Sequence, residues 1–298
     1  MRGIATILLS AFSLAMLCFR VAPNSGVDTT LTLTVGNQQR TAYLHVPGSV
    51  DPKTKHPLVI GYHGGGGNAS GYIHQSELFE KGERAGFIVV CPEGSLVFGN
   101  HRVWNSGQEY ERSSGKADDV QFTRDLIDKI AALYPISPKQ IYATGFSNGG
   151  QMAYRLALEM SDRIAAIAPM SGGRLSQGLR PVRPVPVLHF HGTADSVYPL
   201  EGGLGPYSIG RVPHISIPTV ILEWCGFNNA RSIAAIDFHD GWEMQTHDGP
   251  APVILVLVSG MGHQIAGGND NGLPHQRIKD APDTINMALQ FFVDHPLP

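Results

Sequence analysis

Six short apolar runs, each bounded by glycine or proline, recur along the chain. They occupy residues 57–63, 86–92, 140–145, 164–172, 185–192 and 252–260. A strand that is apolar on both faces has to be covered on both faces, which is the situation in a parallel sheet. Two alternating segments, 30–36 and 40–46, precede these runs with Asn37 and Gln38 between them, and they predict an opening hairpin.

Helical patterns fill the intervals between the runs. One begins at Asp118, which has the spacing of a capping box with Gln121. Strands that alternate with helices predict an α/β fold with a mostly parallel, doubly wound sheet and helices on both faces. Two long segments, 94–117 and 196–216, match neither element type. Each follows a predicted strand, which places both at the carboxyl edge of the sheet, where such folds bind ligands.

The N-terminus differs from the rest of the chain. Arg2 precedes a mostly apolar run over residues 4–19, the pattern of an export signal. We therefore expect residues 1–24 to be an export signal, or alternatively a retained anchor, and residues 25–298 to be one catalytic domain. The expected location is secreted or periplasmic, with no membrane partner beyond this leader. The net charge of −3 argues against nucleic acid as a partner.

Beyond Cys18 in the leader, the chain has two cysteines, Cys91 and Cys225. A bridge between them and two buried free thiols are both compatible with the sequence, because the sequence does not give the distance that a bridge requires. The chain has no CxxC pair, and GGNDNG (267–272) lacks the spaced carboxylates of a calcium loop. We expect no metal and no organic cofactor.

One motif points to nucleophilic chemistry. Residues 145–149 read Gly-Phe-Ser-Asn-Gly, a G-x-S-x-G match centred on Ser147, with a predicted strand before it and a predicted helix after it. In a nucleophile elbow the serine occupies a strained turn between strand and helix, and its neighbours have to be small. The competing interpretation is a glycine-rich turn whose serine caps the helix.

A serine nucleophile needs a base and an acid that orients the base, and in this kind of elbow the chain order is serine, acid, histidine. Asp195 follows the strand predicted at 185–192, and His263 follows the strand predicted at 252–260. Three strand ends thus present nucleophile, acid and base in the expected order. Rival acids and bases lie in a predicted surface hairpin or late in the chain: Asp237, Asp240, His275 and His295.

The oxyanion of such a reaction needs two donors. One is the amide that follows the nucleophile, here Asn148, and the other comes from the glycine-rich loop YHGGGGNAS (62–70). We expect the Gly65 amide to be this second donor. Gly64, next to it, is the alternative donor and is expected to contact the substrate. Trp104 lies in the long segment 94–117, where it either stacks on bound substrate or anchors the loop. Asp118 and Asp119 are interpreted as a helix cap.

Several stretches together resemble the polyhydroxybutyrate depolymerase and feruloyl esterase group: YHGGGGN, WN, DDVQFTRDLIDKI, YPISPKQIYATGFSNGGQMAYRLALEMSDRIAAIAPMSG, HGTADSVYP and GMGH. The resemblance runs from about Ala42 to the C-terminus and is dense from Asp118 to Gly172. It implies the α/β-hydrolase fold with a mostly parallel eight-stranded sheet. It also assigns Ser147, Asp195 and His263 as nucleophile, acid and base.

The same resemblance implies a secreted serine carboxylic ester hydrolase that forms an acyl-enzyme. Its substrates would be feruloyl or acetyl esters of polysaccharides, or hydroxyalkanoate oligomers, and we expect a monomer. Relatives often carry a cysteine near the tryptophan, but WNSGQEYERSS has none, which leaves the acyl group and the alcohol open. Peptidase or acyltransferase chemistry, and a non-enzymatic binding protein on a hydrolase scaffold, are the alternatives.

Overall fold

A ten-stranded sheet organises the part of the chain that the computed structural model describes: residues 26–107, 117–174, 176–208, 211, 213–231, 233–269, 278 and 280–298. In chain order the strands are β1 Val27–Val35, β2 Gln38–Val46, β3 His56–Tyr62, β4 Ile88–Pro92, β5 Ser95–Phe98, β6 His101–Val103, β7 Ile136–Phe146, β8 Ile167–Met170, β9 Val187–Gly192, β10 Ala235–His239, β11 Trp242–His247 and β12 Val253–Val258. Strands β5 and β6 form a separate two-stranded sheet. The predicted leader lies outside the described residues.

The strand order in the large sheet is β1-β2-β4-β3-β7-β8-β9-β12-β11-β10. The six central strands, β4, β3, β7, β8, β9 and β12, run parallel to one another and correspond to the six apolar runs. The opening hairpin β1–β2 joins antiparallel at β4. The prediction of a mostly parallel α/β sheet is therefore confirmed.

The predicted count of eight strands is wrong, because the sheet has ten. The two additional strands are the β10–β11 hairpin, which the sequence indicated as a surface hairpin. Strand β11 pairs antiparallel with β12, with Trp242 opposite Val258, so the hairpin satisfies the backbone groups along the outer edge of β12. The outermost strand, β10, is exposed along its whole length.

Six helices cover the sheet in the described residues: α1 Ala69–Ser76, α2 Leu78–Ala85, α3 Asp119–Leu133, α4 Asn148–Glu159, α5 Ile217–Asn228 and α6 Thr284–Asp294. Side chains from α3, α4 and α5 share one buried cluster with one side of the strands. Those of α1, α2 and α6 share a second cluster with the other side. Each face of the sheet thus has its own core, as the apolar runs require. No helix in the described part of the chain is both long and apolar enough to span a membrane.

The two clusters also settle the state of the cysteines. Cys91 belongs to the cluster with α1, α2 and α6, and Cys225 to the cluster on the opposite face. Both are buried and free. A disulfide needs Cα atoms within about 7 Å of each other, which two residues on opposite faces of a sheet do not satisfy. Burial raises the pKa of Cys225 to about 11, so its thiol stays protonated at neutral pH.

Candidate active site

The predicted site residues meet at the carboxyl edge of the sheet. Because β3, β7, β9 and β12 are parallel, their C-terminal ends open on the same edge. Ser147 follows β7, Asp195 lies three residues beyond β9, and His263 lies five residues beyond β12. The glycine loop starts directly after β3. The topology therefore brings together four segments that are distant in the sequence.

Ser147 occupies an unusual backbone conformation between β7 and α4. Its φ is 56° and its ψ is −119°, a region that costs a residue with a side chain about 1–3 kcal/mol. The Ser147 amide donates to the Met170 carbonyl at 2.8 Å, and the Ser147 carbonyl accepts from the Gln151 amide at 3.0 Å. The side chain makes no capping hydrogen bond to α4. This geometry argues against the helix-cap interpretation and matches that of an elbow.

The glycines around Ser147 allow backbone segments to pass very close to one another. A Cβ on Gly149 would lie 2.6 Å from the His63 carbonyl oxygen and would overlap the Tyr62 carbonyl. A Cβ on Gly145 would lie 2.6 Å from the Gly149 carbonyl carbon. Gly172, at the end of the neighbouring strand, packs directly on the Ser147 backbone. A side chain at any of these positions would push the turn away from its neighbours.

Asp195 and His263 form a direct pair. His263 Nδ1 lies 2.7 Å from Asp195 Oδ2, while Asp195 Oδ1 accepts from the amides of Val197 at 2.9 Å and Tyr198 at 2.7 Å. Burial by itself raises the pKa of Asp195, but the hydrogen bond and charge of His263 outweigh it and hold that pKa below its usual value. An ionised carboxylate at this position fixes the proton of His263 on Nδ1 and leaves Nε2 as the acceptor.

The His263 ring lies beside the elbow. Its centroid is 4.7 Å from that of Phe146, the residue before Ser147. The His263 side chain is 14% exposed, whereas that of Asp195 is fully buried. The imidazole is thus held by a buried carboxylate, lies next to the elbow and keeps part of its surface exposed.

The glycine loop is fixed by hydrogen bonds that leave only some of its amides available. The Gly66 amide donates to the Arg102 carbonyl at 2.7 Å, and the Gly67 amide donates to the Gly64 carbonyl at 3.1 Å. The expected oxyanion donor, Gly65, lies against Asn148: a Cβ built on Gly65 would be 3.4 Å from the Asn148 Cβ. A Cβ on Gly64 would be 3.5 Å from the Ser147 Cβ. Both glycines therefore border the elbow.

His63 holds this loop in place. Its Nε2 accepts from the Gly94 amide at 3.0 Å, so the proton of the neutral ring is on Nδ1 and is donated to the Gly64 carbonyl at 2.8 Å. Burial lowers the pKa of His63 to about 4, and the hydrogen bond to Gly64 only partly counteracts this. The ring is therefore neutral at physiological pH, which is the state that supplies one donor and one acceptor.

Trp104 anchors its loop and does not present its ring to a substrate. The ring is fully buried, its Nε1 donates to the His63 carbonyl at 2.9 Å, and it packs edge-on against Tyr62. Of the two alternatives for Trp104, these contacts therefore favour the loop anchor over stacking on substrate. Its backbone amide donates to the Asn148 Oδ1 at 2.7 Å. The Trp104 loop thus holds in place the side chain of Asn148, the residue that follows Ser147.

Asp119 holds the loop beside the candidate site, a contact that the helix-cap interpretation of the sequence did not predict. Asp118 alone caps α3, accepting from the Gln121 amide at 2.9 Å. Asp119 is fully buried, pairs with Arg40 at 2.6 Å and accepts from the Asn105 amide at 2.7 Å. Burial raises the pKa of Asp119, while Arg40 and the Asn105 amide favour its ionised form. Asp119 therefore ties the Trp104 loop to the core. The adjacent Asp-Asp pair was a possible signal, because a helix N-cap needs only one of them.

The rival residues lie elsewhere. Asp237 and Asp240 are exposed in and beside β10. His295 follows α6, with its Nδ1 2.7 Å from the Phe291 carbonyl, and His275 is outside the described residues. Within the described part of the chain, no group of three or more His, Cys, Asp or Glu side chains has an arrangement that would hold a metal ion.

Comparison with known proteins places this site in a family. The model of the family described as "Esterase PHB depolymerase" matches residues 41–215. Feruloyl esterase B of Piromyces equi is 34% identical over 183 residues, which cover 58% of this chain and 32% of that protein. Feruloyl esterase C of Emericella nidulans is 28% identical over 245 residues, which cover 78% of this chain and 88% of that protein.

The fold itself is that of solved esterase structures. An acetyl xylan esterase from Aspergillus awamori superposes with a TM-score of 0.59 at 15% identity, covering 80% of this chain and 94% of that one. This likeness and the sheet topology identify the α/β-hydrolase fold. Since the family model also matches more than half of the 298 residues, the chain belongs to the Esterase PHB depolymerase family.

Proposed function

We propose that this chain is an exported serine carboxylic ester hydrolase that works through an acyl-enzyme. One observation above all supports this proposal. A serine in a strained elbow lies at the same edge of the parallel sheet as Asp195 and His263, whose Oδ2 and Nδ1 atoms are 2.7 Å apart. Three residues in these roles, in this chain order, constitute the machinery of acyl transfer in this fold. The family match supports the same activity.

In the proposed reaction His263 Nε2 accepts the Ser147 hydroxyl proton while Oγ attacks the ester carbonyl. The imidazolium that forms is stabilised by the ionised Asp195, which keeps its own charge throughout. His263 then donates its proton to the departing alcohol oxygen. Water, deprotonated by the same imidazole, attacks the acyl-enzyme; the bond to Ser147 Oγ then breaks, Oγ takes the proton back from His263, and the carboxylic acid is released.

The negative charge on the carbonyl oxygen needs donors that are in place before the reaction starts. We assign the backbone amides of Asn148 and Gly65 to this role. Asn148 is the first residue of α4, so its amide is not used by the helix. The Gly66 amide already donates to the Arg102 carbonyl and the Gly67 amide to the Gly64 carbonyl, which favours Gly65 as the donor, with Gly64 beside it at the substrate. Each donor of this kind is worth about 3 kcal/mol of barrier.

For the substrate we propose feruloyl or acetyl esters of polysaccharides, or hydroxyalkanoate oligomers. The names of the family and of the two feruloyl esterases support this range. Export is supported by the Arg2 and apolar pattern of residues 1–24.

The decisive variant is Ser147→Ala, measured by hydrolysis of a nitrophenyl ester and by labelling with a fluorophosphonate probe. We expect kcat to fall by several orders of magnitude and labelling to disappear, because the probe reacts only with an activated serine. Ser171→Ala is the matched control, since Ser171 is a buried serine at the end of the neighbouring strand. It should keep activity within a few fold. Near-normal hydrolysis by Ser147→Ala would refute the proposal.

The acid and the substrate are tested separately. Asp195→Asn should lower kcat strongly, whereas Asp237→Asn, on the exposed strand β10, should not; the reverse order would reassign the acid. A panel of feruloyl sugars, acetylated xylan, hydroxybutyrate oligomers and matched amides then ranks the substrates by kcat/KM. Faster amide than ester turnover would favour a peptidase instead.

A further inference from the structure

A row of polar side chains is buried behind Asp195. His189 and His191 are two residues apart on β9, so their side chains point to the same face of the sheet. Both are fully buried. Their rings are stacked with centroids 5.5 Å apart and an interplanar angle of 17°. The hydroxyl of Tyr154, on α4, lies 2.9 Å from His189 Nδ1. Buried polar groups are costly unless each one is hydrogen-bonded, so the direction of each bond matters.

The partners fix the proton positions along this row. His191 Nε2 is 2.9 Å from the Tyr198 carbonyl, which only accepts, so this nitrogen carries the proton. Burial lowers the pKa of His191 to about 4, so the ring is neutral at pH 7 and its Nδ1 is an acceptor. His189 Nε2, 3.3 Å away, then has to donate to it.

The same logic continues to Tyr154. Burial also lowers the pKa of His189 below its usual value, and a neutral ring that donates through Nε2 accepts through Nδ1. The Tyr154 hydroxyl is therefore the donor at that end. The hydrogen bonds all run one way, from Tyr154 through His189 and His191 to the Tyr198 carbonyl. In a low-dielectric interior such aligned bonds reinforce one another.

The row ends at the turn that holds the catalytic acid. His191 binds the carbonyl of Tyr198. The same turn supplies the amides of Val197 and Tyr198, which donate to Asp195 Oδ1. His191 Nε2 is also 3.7 Å from Asp195 Oδ2, the oxygen that pairs with His263. The His191 N–H therefore fixes the Tyr198 carbonyl of this turn, and the same N–H lies close to the carboxylate of Asp195.

We propose that Tyr154, His189 and His191 form a positioning chain for Asp195, which holds the 195–198 turn and lowers the basicity of the carboxylate. This inference rests on the proposed function, because it assigns Asp195 as the acid. The N–H of His191 stabilises the charge on Asp195, so the carboxylate orients His263 without binding the imidazolium too strongly. The chain touches neither the substrate nor the reacting atoms, and no proton moves along it.

The groups that titrate around this chain come from five segments. Helix α4 contributes Tyr154, and helix α5 contributes Cys225. Burial, together with Cys225, raises the pKa of Tyr154. The turn after β9 contributes Asp195 and Tyr198, and the loop after β12 contributes His263. The ring of His214 stacks on Tyr198 with centroids 4.1 Å apart. A pH profile therefore has to be interpreted from matched variants.

The first test is His191→Leu, assayed for kcat, KM and the pH dependence of kcat/KM with a nitrophenyl ester. We expect kcat to fall by about 10–100-fold, the range found when a group that orients a metal-ligating side chain is removed, with KM within about twofold. The acid limb of the profile should move to higher pH, because a more basic Asp195 stabilises the protonated His263. His191→Gln keeps an N–H near the position of Nε2 and should restore most of both changes.

Tyr154→Phe keeps the inference testable if His191→Leu does not fold. It breaks the chain at the far end and should shift the acid limb in the same direction by a smaller amount. Tyr142→Phe is the matched control, since Tyr142 is a buried tyrosine in the core on the opposite face, and its profile should not move. An acid limb that stays in place, or moves to lower pH, in both His191→Leu and Tyr154→Phe overturns the inference. If Ser147→Ala abolishes activity in that case, the proposed function stands without the chain.

Discussion

The close packing at the elbow makes Gly149→Ala a quantitative test of the site. The new methyl group would lie 2.6 Å from the His63 carbonyl oxygen and nearer still to that of Tyr62, whereas non-bonded heavy atoms prefer about 3.5–4.0 Å. Both carbonyls belong to backbone at the end of β3, which does not rotate away as a side chain would. The start of α4, with Ser147 and the Asn148 amide, therefore has to move by about 1 Å.

Two effects follow from that movement. Overpacking of this kind costs about 1–3 kcal/mol of stability, which lowers Tm by about 2 °C per kcal/mol in a chain of this size. A displacement of about 1 Å at a catalytic group costs about 100-fold in rate, so we expect kcat to fall far more than the stability loss would suggest. Thermal unfolding and ester hydrolysis measure the two effects independently.

Gly226→Ala is the matched control. Gly226 lies within α5, and a Cβ there would meet nothing within 4 Å. Alanine in a helix interior is favoured over glycine by about 0.5–1 kcal/mol, so Tm should rise slightly and kcat should not change. If Gly149→Ala kept both Tm and kcat/KM within twofold of the values for Gly226→Ala, the argument from backbone contact would be wrong.

Two further predictions concern buried polar groups. Burial lowers the pKa of His63 and of His191 to about 4; the unfolded chain therefore takes up protons that the folded chain does not between pH 6.5 and 4. The free energy of unfolding in urea should fall as pH falls through that window, by about 1.4 kcal/mol per pH unit for each ring. His191→Gln should reduce that slope, and constant stability from pH 7 to 5 would contradict the assignment. Arg40→Met leaves the buried Asp119 carboxylate without its cation and should cost about 3–5 kcal/mol in the same assay; a loss below about 1 kcal/mol would show that the pair is not needed.

Much of the fold was predictable because each strand carries its own signal. Six apolar runs became the six parallel strands, since a strand covered on both faces is apolar on both faces over most of its length. The pair α1–α2 between β3 and β4 was not predicted. Glu77 separates these short helices with a φ of 54°, and each contains a glycine, Gly71 or Gly82. Helical periodicity over eight residues is too short to stand out when it is interrupted in this way.

The residues of the candidate site also fall into a group whose position the sequence predicted and a group whose role it did not. The meeting of Ser147, Asp195 and His263 at one edge was predictable because each one follows a strand, and parallel strands bring their ends together whatever the rest of the packing is. The role of Trp104 was not predictable, because an aromatic residue in a loop has the same sequence signature whether it faces a substrate or the core. Only its contacts with His63 and Tyr62 decide between these alternatives.

The residue pattern alone was enough to predict the parallel sheet, an elbow at Ser147 and a candidate acid and base after it in the chain. The packing of the folded chain was needed to show that the β10–β11 hairpin joins the sheet, that Arg40 and Asp119 form a buried pair, and that a row of histidines lies behind Asp195. Arg40 and Asp119 are 79 positions apart in the chain. Periodicity records which way a residue faces, whereas a hydrogen bond needs two atoms within about 3 Å in the right direction. That second condition is set by how separate elements pack.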